Sequence, residues 1–206
     1  TAAPGSYIEI YGSNLATKTR SWAAEDFNGI SAPRSLDGTS VTINGLPAFI
    51  AFISPTQINA QVPDGVPRGS SVPVVVTTNG LVSPASSINI ARESPGLLAP
   101  ASFLVGGKQY LAAVHSANGT LVANSSIPGV KAAPAAPGET LLIYGIGWGT
   151  VFSTQSIAGE INSRKADLDG FVSFTIGGLN ADVAYSGLTP GLVGVDQFNV
   201  VVPPLA

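Results

Sequence analysis

The sequence predicts an all-β chain built from two tandem β-sandwiches joined by a small β-meander, the second lacking its last hairpin. Three observations lead there. Pro4-Gly5-Ser6-Tyr7-Ile8-Glu9-Ile10-Tyr11-Gly12 returns as Pro137-Gly138-Glu139-Thr140-Leu141-Leu142-Ile143-Tyr144-Gly145, 133 residues downstream. The same offset carries Ser40–Ala48 onto Ser173–Ala181, and two matches at one offset mark a tandem repeat. Short runs alternate apolar and polar residues between turn dipeptides, and no segment of useful length has a helical period. Only 10% of the residues are charged, against roughly 25% in an ordinary soluble domain. Gly, Pro, Ser, Thr and Asn take their place, as strands joined by tight turns require.

The first repeat is expected to span residues 1–94. Residues 4–12 read as a strand closing in a turn at Gly12. Residues 13–38 read as a long loop, with a short helical turn around Trp22–Phe27 and a turn at Asp37-Gly38. Val41-Thr42-Ile43 is a strand, and Asn44-Gly45 is a strong two-residue hairpin signal. Ala48–Ile53 returns, and Ile58-Asn59-Ala60-Gln61-Val62 alternates, with one face buried. Val72–Thr78 turns at Asn79-Gly80, and Ser87–Ala91 closes the unit. About seven strands in about ninety residues suit a sandwich of immunoglobulin-like size.

Residues 95–136 are expected to form a three-stranded meander around Phe103–Val105, Gln109–His115 and Thr120–Val122, followed by a Pro- and Ala-rich tether. Proline stiffens such a tether, so the sandwiches should not swing freely. The second repeat, 137–206, runs through its first strand, a loop at 146–170, Phe171–Ile176, a Gly177-Gly178 turn and Ala181–Tyr185. Gln197–Pro203 corresponds to Gln57–Pro63 at an offset of 140, which places a seven-residue insertion near Gly187–Gly194. Repeat one continues for 30 residues beyond Pro63, Asp64 to Glu93, and repeat two has three after Pro203. Repeat two is therefore expected to lack a β-hairpin.

Composition narrows the chemistry. Nine basic against twelve acidic residues give a net charge of −3, which argues against nucleic acid and anionic membrane as partners. The absence of Cys removes disulfides, thiolate nucleophiles and Cys-ligated zinc. No apolar run is long enough for a membrane-spanning helix. Without a signal peptide or an initiator Met, the simplest reading is a mature, processed protein or an excised fragment.

Each candidate site has a structural alternative. His115, the one histidine, reads as a satisfied structural side chain, because a lone His makes neither a catalytic triad nor a His-based metal site. Gly145-Ile146-Gly147-Trp148-Gly149 follows a strand but opens no helix, so a bulge or tight corner is favoured over a phosphate loop. Asp167 and Asp169 have a calcium-loop spacing with too few donors, and read as a turn. Asn118-Gly119-Thr120 and Asn124-Ser125-Ser126 fit glycosylation sequons but also read as turns. Trp22 and Trp148 lie in or beside the long loops, as candidate platforms for a sugar ring or as plugs of the sandwich ends. Gln57-Ile58-Asn59 and Gln197-Phe198-Asn199 recur, which suggests amides satisfying loop carbonyls. No cofactor is expected.

Pro4-Gly5 with Tyr11–Leu15, Val41–Ala48, and above all Ser54-Pro55-Thr56-Gln57-Ile58-Asn59-Ala60-Gln61-Val62-Pro63 carry a resemblance. Pro95-Gly96, Pro137-Gly138-Glu139, Tyr185-Ser186-Gly187-Leu188 and Pro190-Gly191 follow in the same order. These residues resemble the tandem β-sandwich domain at the C-termini of large secreted acidobacterial proteins. The resemblance implies an exported bacterial protein with immunoglobulin-like repeats and no established catalytic residues.

The leading expectation is a non-catalytic extracellular or cell-surface structural protein, a homo-oligomer or polymer formed by β-strand addition. A sandwich short of two strands leaves backbone groups unpaired, and strand addition fills such an edge. The expected assembly edge is Val200, Val201, Val202, Pro203, Pro204 and Leu205, or else the N-terminal Thr1-Ala2-Ala3. The alternative is a carbohydrate-binding or adhesive accessory module of a larger secreted protein. An enzyme would need a convergent polar cluster that the sequence does not contain.

Overall fold

The computed structural model describes residues 1–124, 127, 129–151 and 158–204. The first unit holds ten strands: β1 (Tyr7–Tyr11), β2 (Arg20–Ser21), β3 (Ser35–Leu36), β4 (Thr39–Ile43), β5 (Leu46–Pro47), β6 (Phe49–Ile53), β7 (Gln57–Gln61), β8 (Ser70–Thr78), β9 (Leu81–Val82) and β10 (Ser86–Ile90). They form two sheets, ordered β1-β7-β6-β2 and β10-β8-β4-β3, with β5 beside β4 and β9 beside β8. Alternation along β4 and β7 points Val41, Ile43, Ile58 and Ala60 inward, each at most 1% exposed. The turns between strands use positive φ where the sequence offers Asn-Gly, at Asn44-Gly45 and Asn79-Gly80.

The long loop at 13–38 is organised by one side chain. Arg20 donates two hydrogen bonds to the Asp26 carboxylate, at 2.7 and 3.0 Å, and two to Asp37, at 2.9 and 3.1 Å. Asp26 also accepts the Ala23 N–H and closes a 3-10 turn over Ala24–Asp26. The expected helical turn near Trp22–Phe27 is this one.

The connector is not a freestanding meander. Its strands are β11 (Gly96–Leu97), β12 (Leu104–Val105), β13 (Lys108–Gln109), β14 (Ala113–His115), β15 (Leu121–Val122) and β16 (Ala132–Ala133). The second unit adds β17 (Thr140–Ile146), β18 (Phe174–Ile176), β19 (Leu179–Ala181), β20 (Val183–Leu188) and β21 (Asp196–Val201). One sheet runs β16-β15-β14-β17-β21-β20, with β11 also beside β17. Connector side chains Leu97, Leu111, Ala113, Val122 and Ala135 enter the second core with Leu141, Ile143, Phe198 and Val200. Of the connector's described strands, only β12 and β13 stand apart, as a two-stranded sheet, and β18–β19 forms another.

The duplication is exact in order where both copies exist. β17-β21-β20 repeats β1-β7-β6, and the β18–β19 hairpin repeats β4–β5. Phe198, the counterpart of Ile58, is fully buried and packs against Trp148 and Phe174 at ring distances of 4.7 and 5.1 Å. Phe198→Ala should cost about 3–5 kcal/mol, read as a drop in the urea midpoint with an unchanged slope; a loss below about 1 kcal/mol would mean that this ring does not anchor the second core.

Candidate functional site

Two places depart from the repeat pattern: the seam between the units, and the outer edge of β18. The seam is built on Gln61, at the end of β7. Its Nε2 donates to the Gly5 carbonyl at 2.7 Å, and its Oε1 accepts the Gly159 N–H at 2.7 Å. The side chain is 1% exposed. Around it, Tyr7 Oη donates to the Val193 carbonyl at 2.9 Å, and Asp64 Oδ2 accepts the Ala158 N–H at 2.6 Å. Backbone pairs join Ala32 to Gly159 and Ile161 to Ile30. Ala32, Phe49, Ala158 and Val193 form a small apolar core of their own, edged by Trp22, Phe27 and Ile161. Gly194, at φ +61°, lies against the Gln61 amide, where a Cβ would overlap it. These hydrogen bonds and this small apolar core join the two units.

A cleft of about 440 Å³ opens along the seam, lined among others by Gln61, Asp64, Glu160, Asn162 and Asp196. Asp196 is 4% exposed, and its Oδ2 accepts the Trp148 N–H at 3.3 Å. Burial pushes its pKa up to about 7, with the Trp148 N–H pulling weakly the other way. Gln61 faces Val201 in the aligned repeats, and Asp196 faces Thr56. That divergence between copies was the sequence signal for the seam.

The second place is β18. In the first unit β4 is paired along its whole length by β8, Thr42 opposite Val75. The Ala48 N–H bonds the Val41 carbonyl on the β5 side, so alternation turns the backbone N–H and C=O of Thr42 toward β8. Thr175 occupies the Thr42 position, and Ile176 pairs with Leu179 across the Gly177-Gly178 turn. Its backbone groups therefore face away from β19. Among the described residues no strand meets them. The side chains agree: Val41 and Ile43 are 1% and 0% exposed, whereas Phe174 and Ile176 are half-buried. Phe171, just before the strand, is 96% exposed. The connector's side chains close part of this core, and the backbone edge stays open.

The expected assembly edge is corrected. Val200 and Val201 lie in β21, an inner strand paired with β17 and β20. Val202 is buried, and its N–H and C=O are bonded to Glu139 and Gly138. Pro203 is half-buried and Pro204 exposed, and Leu205 lies outside the described residues. Position at the end of the sequence suggested an edge, but the β1-β7-β6 order places the last strand in the middle. The Thr1–Ala3 segment is also occupied: Ala2 bonds Asn89 and Ala91, beside β10.

The other candidates take structural positions. Trp22 is half-buried, edge-on to Tyr7 and Phe27. Trp148 is stacked on Phe174, and its indole N–H is buried without a partner. Gly147, at φ +79°, is a corner where Ser94 crosses, and a Cβ there would strike the Ser94 carbonyl. Asp167 pairs with Lys165 at 3.1 Å, and Leu168 beside it is core. No three His, Cys, Asp or Glu side chains gather for a metal among the described residues. Thr120 N–H bonds Asn118 Oδ1 within a turn, while Ser125 and Ser126 lie outside the described residues. The recurring amides do not reach loop carbonyls. Gln57 bonds Asn59 at 2.7 Å and Gln197 bonds Asn199 at 2.8 Å, each along its own strand.

His115 latches the connector to the second unit. Nδ1 lies 2.9 Å from Glu139 Oε2, and Nε2 lies 3.1 Å from the Ala133 carbonyl. Two acceptors favour the imidazolium, first through Glu139, so its pKa is raised and that of Glu139 lowered. Raised values for Asp196 and His115 both make stability fall as pH rises, the first between the ordinary carboxylate range and about 7, the second from the ordinary imidazole range upward. Melting temperature should decline from pH 5 to pH 8. Asp196→Asn should flatten the part below pH 7, whose slope is at most about 1.4 kcal/mol per pH unit. An unchanged slope in that variant would contradict the assignment.

Residues 1–90 match the family model of the IPT/TIG domain. No curated protein and no solved structure matches the chain. No helix is long and apolar enough to cross a membrane, among the described residues. The IPT/TIG domain is a non-enzymatic, immunoglobulin-like module met often in adhesive or extracellular proteins. The first unit thus carries an IPT/TIG match, and the second repeats its β1-β7-β6 strand order, with one edge of β18 unpaired among the described residues.

Proposed function

We propose that this chain is a non-catalytic extracellular structural protein that assembles with itself, one copy supplying a strand to the β18 edge of the next. The observation that carries the proposal is the unpaired Thr175 backbone beside half-buried Phe174 and Ile176, where the first unit has a full β8 ladder. An open edge of this kind is a template for strand addition. Donor and acceptor surfaces that differ build an open chain unless the rotation closes, so a filament or surface layer is the natural product. A low density of charge leaves little repulsion against such packing. The acidobacterial resemblance of the sequence fits export to the cell surface.

A second reading rests on the seam cleft, where half-buried Glu160 and Asn162 and exposed Ser163 offer polar groups to sugar hydroxyls. It makes the chain a carbohydrate-binding or adhesive accessory module, with the cleft and not the two tryptophans as the site.

The experiment is sedimentation velocity with negative-stain microscopy on the wild type and Thr175→Pro. Proline removes the N–H that faces the open edge and leaves the β18–β19 bonds intact. Wild-type protein should form assemblies that grow with concentration, and Thr175→Pro should stay monomeric with an unchanged melting temperature. A wild type that is monomeric throughout sinks the proposal and leaves the module reading.

A further inference from the structure

β1 and β17 are the same strand in the two repeats, and they differ in what lies beside them. Thr140, Leu142 and Tyr144 of β17 stand where Tyr7, Glu9 and Tyr11 stand in β1, at the 133-residue offset. In the second unit the connector pairs this edge. The Thr140 carbonyl accepts the Ser116 N–H, Leu142 pairs with Val114, and Tyr144 is bonded to Ala112 and Leu98. In the first unit β1 is the outermost strand of its sheet, and no strand meets the same edge among the described residues. The Val62 N–H bonds the Ser6 carbonyl and the Gly12 N–H bonds the Thr56 carbonyl, so alternation turns the backbone groups of Tyr7, Glu9 and Tyr11 away from β7. The Tyr7 side chain is held at the seam, while Glu9 is exposed and Tyr11 is 68% exposed.

Resting on the self-assembly reading, we infer that the strand supplied to the β18 edge is β1 of a second copy, the two open edges joining antiparallel. The alternation of the two strands matches. In each, the residue whose backbone faces outward carries an exposed side chain, Glu9 in β1 and Thr175 in β18. Setting Glu9 opposite Thr175 lets the two exchange a pair of backbone hydrogen bonds. That register puts Ile10 opposite Phe174 and Ile8 opposite Ile176, all four on the faces that pack on the cores. Tyr11 then falls opposite Ser173. Charge opposes the closed alternative, in which β1 pairs with β1 across a two-fold axis. The full-length register of that pair sets Glu9 against Glu9, and like charges directly opposite are destabilising. Thr175 offers a neutral neighbour instead. The two edges belong to different units, so the contact is head-to-tail and extends into an open chain unless the rotation closes.

The absence of native Cys permits a clean cross-linking test. Glu9→Cys and Thr175→Cys, both at exposed positions, are made in separate chains carrying different tags, mixed and oxidised. Residues opposite each other in a hydrogen-bonded antiparallel pair lie about 5.5 Å apart at Cα, within disulfide reach. The expected product is a covalent pair containing both tags, well above the same-tag pairs that either variant gives alone. In parallel, Glu9→Pro removes the N–H that faces the open edge and leaves the β1–β7 bonds intact. It should abolish assembly with an unchanged melting temperature. If wild-type assemblies form but the cross-linked pairs are same-tag or absent, or if Glu9→Pro assembles normally, the donor assignment is overturned and the self-assembly reading stands. If the wild type never assembles and no mixed pair forms, both are overturned.

Discussion

A β-strand inside a sandwich must satisfy hydrogen bonds on both of its edges and bury one of its faces. β4 does so: β5 and β3 on one side, β8 on the other, Val41 and Ile43 in the core. β18 is the same strand by sequence and by turn, and among the described residues it has only β19. An unpaired strand edge carries donors and acceptors that water satisfies only while the apolar residues beside them remain wet. The functional reading of the chain follows from that conflict.

The rest of the second unit is arranged around the same deficit. The connector gives up independence and extends the sheet through β14–β16, bringing Leu111, Ala113 and Val122 to the core. The His115–Glu139 pair fixes that extension to the start of β17. The Gln61 and Tyr7 bonds then hold the second unit against the first. Hydrogen bonds thus join the two units where the repeats meet, and among the described residues one edge of β18 has no paired strand.

Most of the architecture was legible in the sequence because it rests on local signals. Asn-Gly and Gly-Gly dipeptides, strict alternation and an exact repeat offset fix the strands and their order. Among the described residues no counterpart of β8–β10 is found, as the comparison of the two repeats leads one to expect. The spatial consequence could not be read in the sequence: proximity to the end of the sequence drew attention to Val200–Leu205, whereas strand order puts β21 at the centre and exposes β18 far upstream. The seam was missed because Gln61 and Asp196 look unremarkable singly. They stand out only when each is set against its partner in the other repeat, Val201 and Thr56. The connector was misjudged for a related reason, since pairing between β14 and β17 is non-local and leaves no periodic trace.

The most direct measurement is amide hydrogen exchange at Thr175, with Thr42 as the internal reference, in dilute and in concentrated protein. Thr42 should exchange slowly in both. Thr175 should exchange fast when dilute and slow to a protected rate as the protein is concentrated. Protection of Thr175 in dilute monomer would mean that its own chain already covers the edge, and fast exchange at every concentration would mean that no strand is ever added; either result contradicts the account.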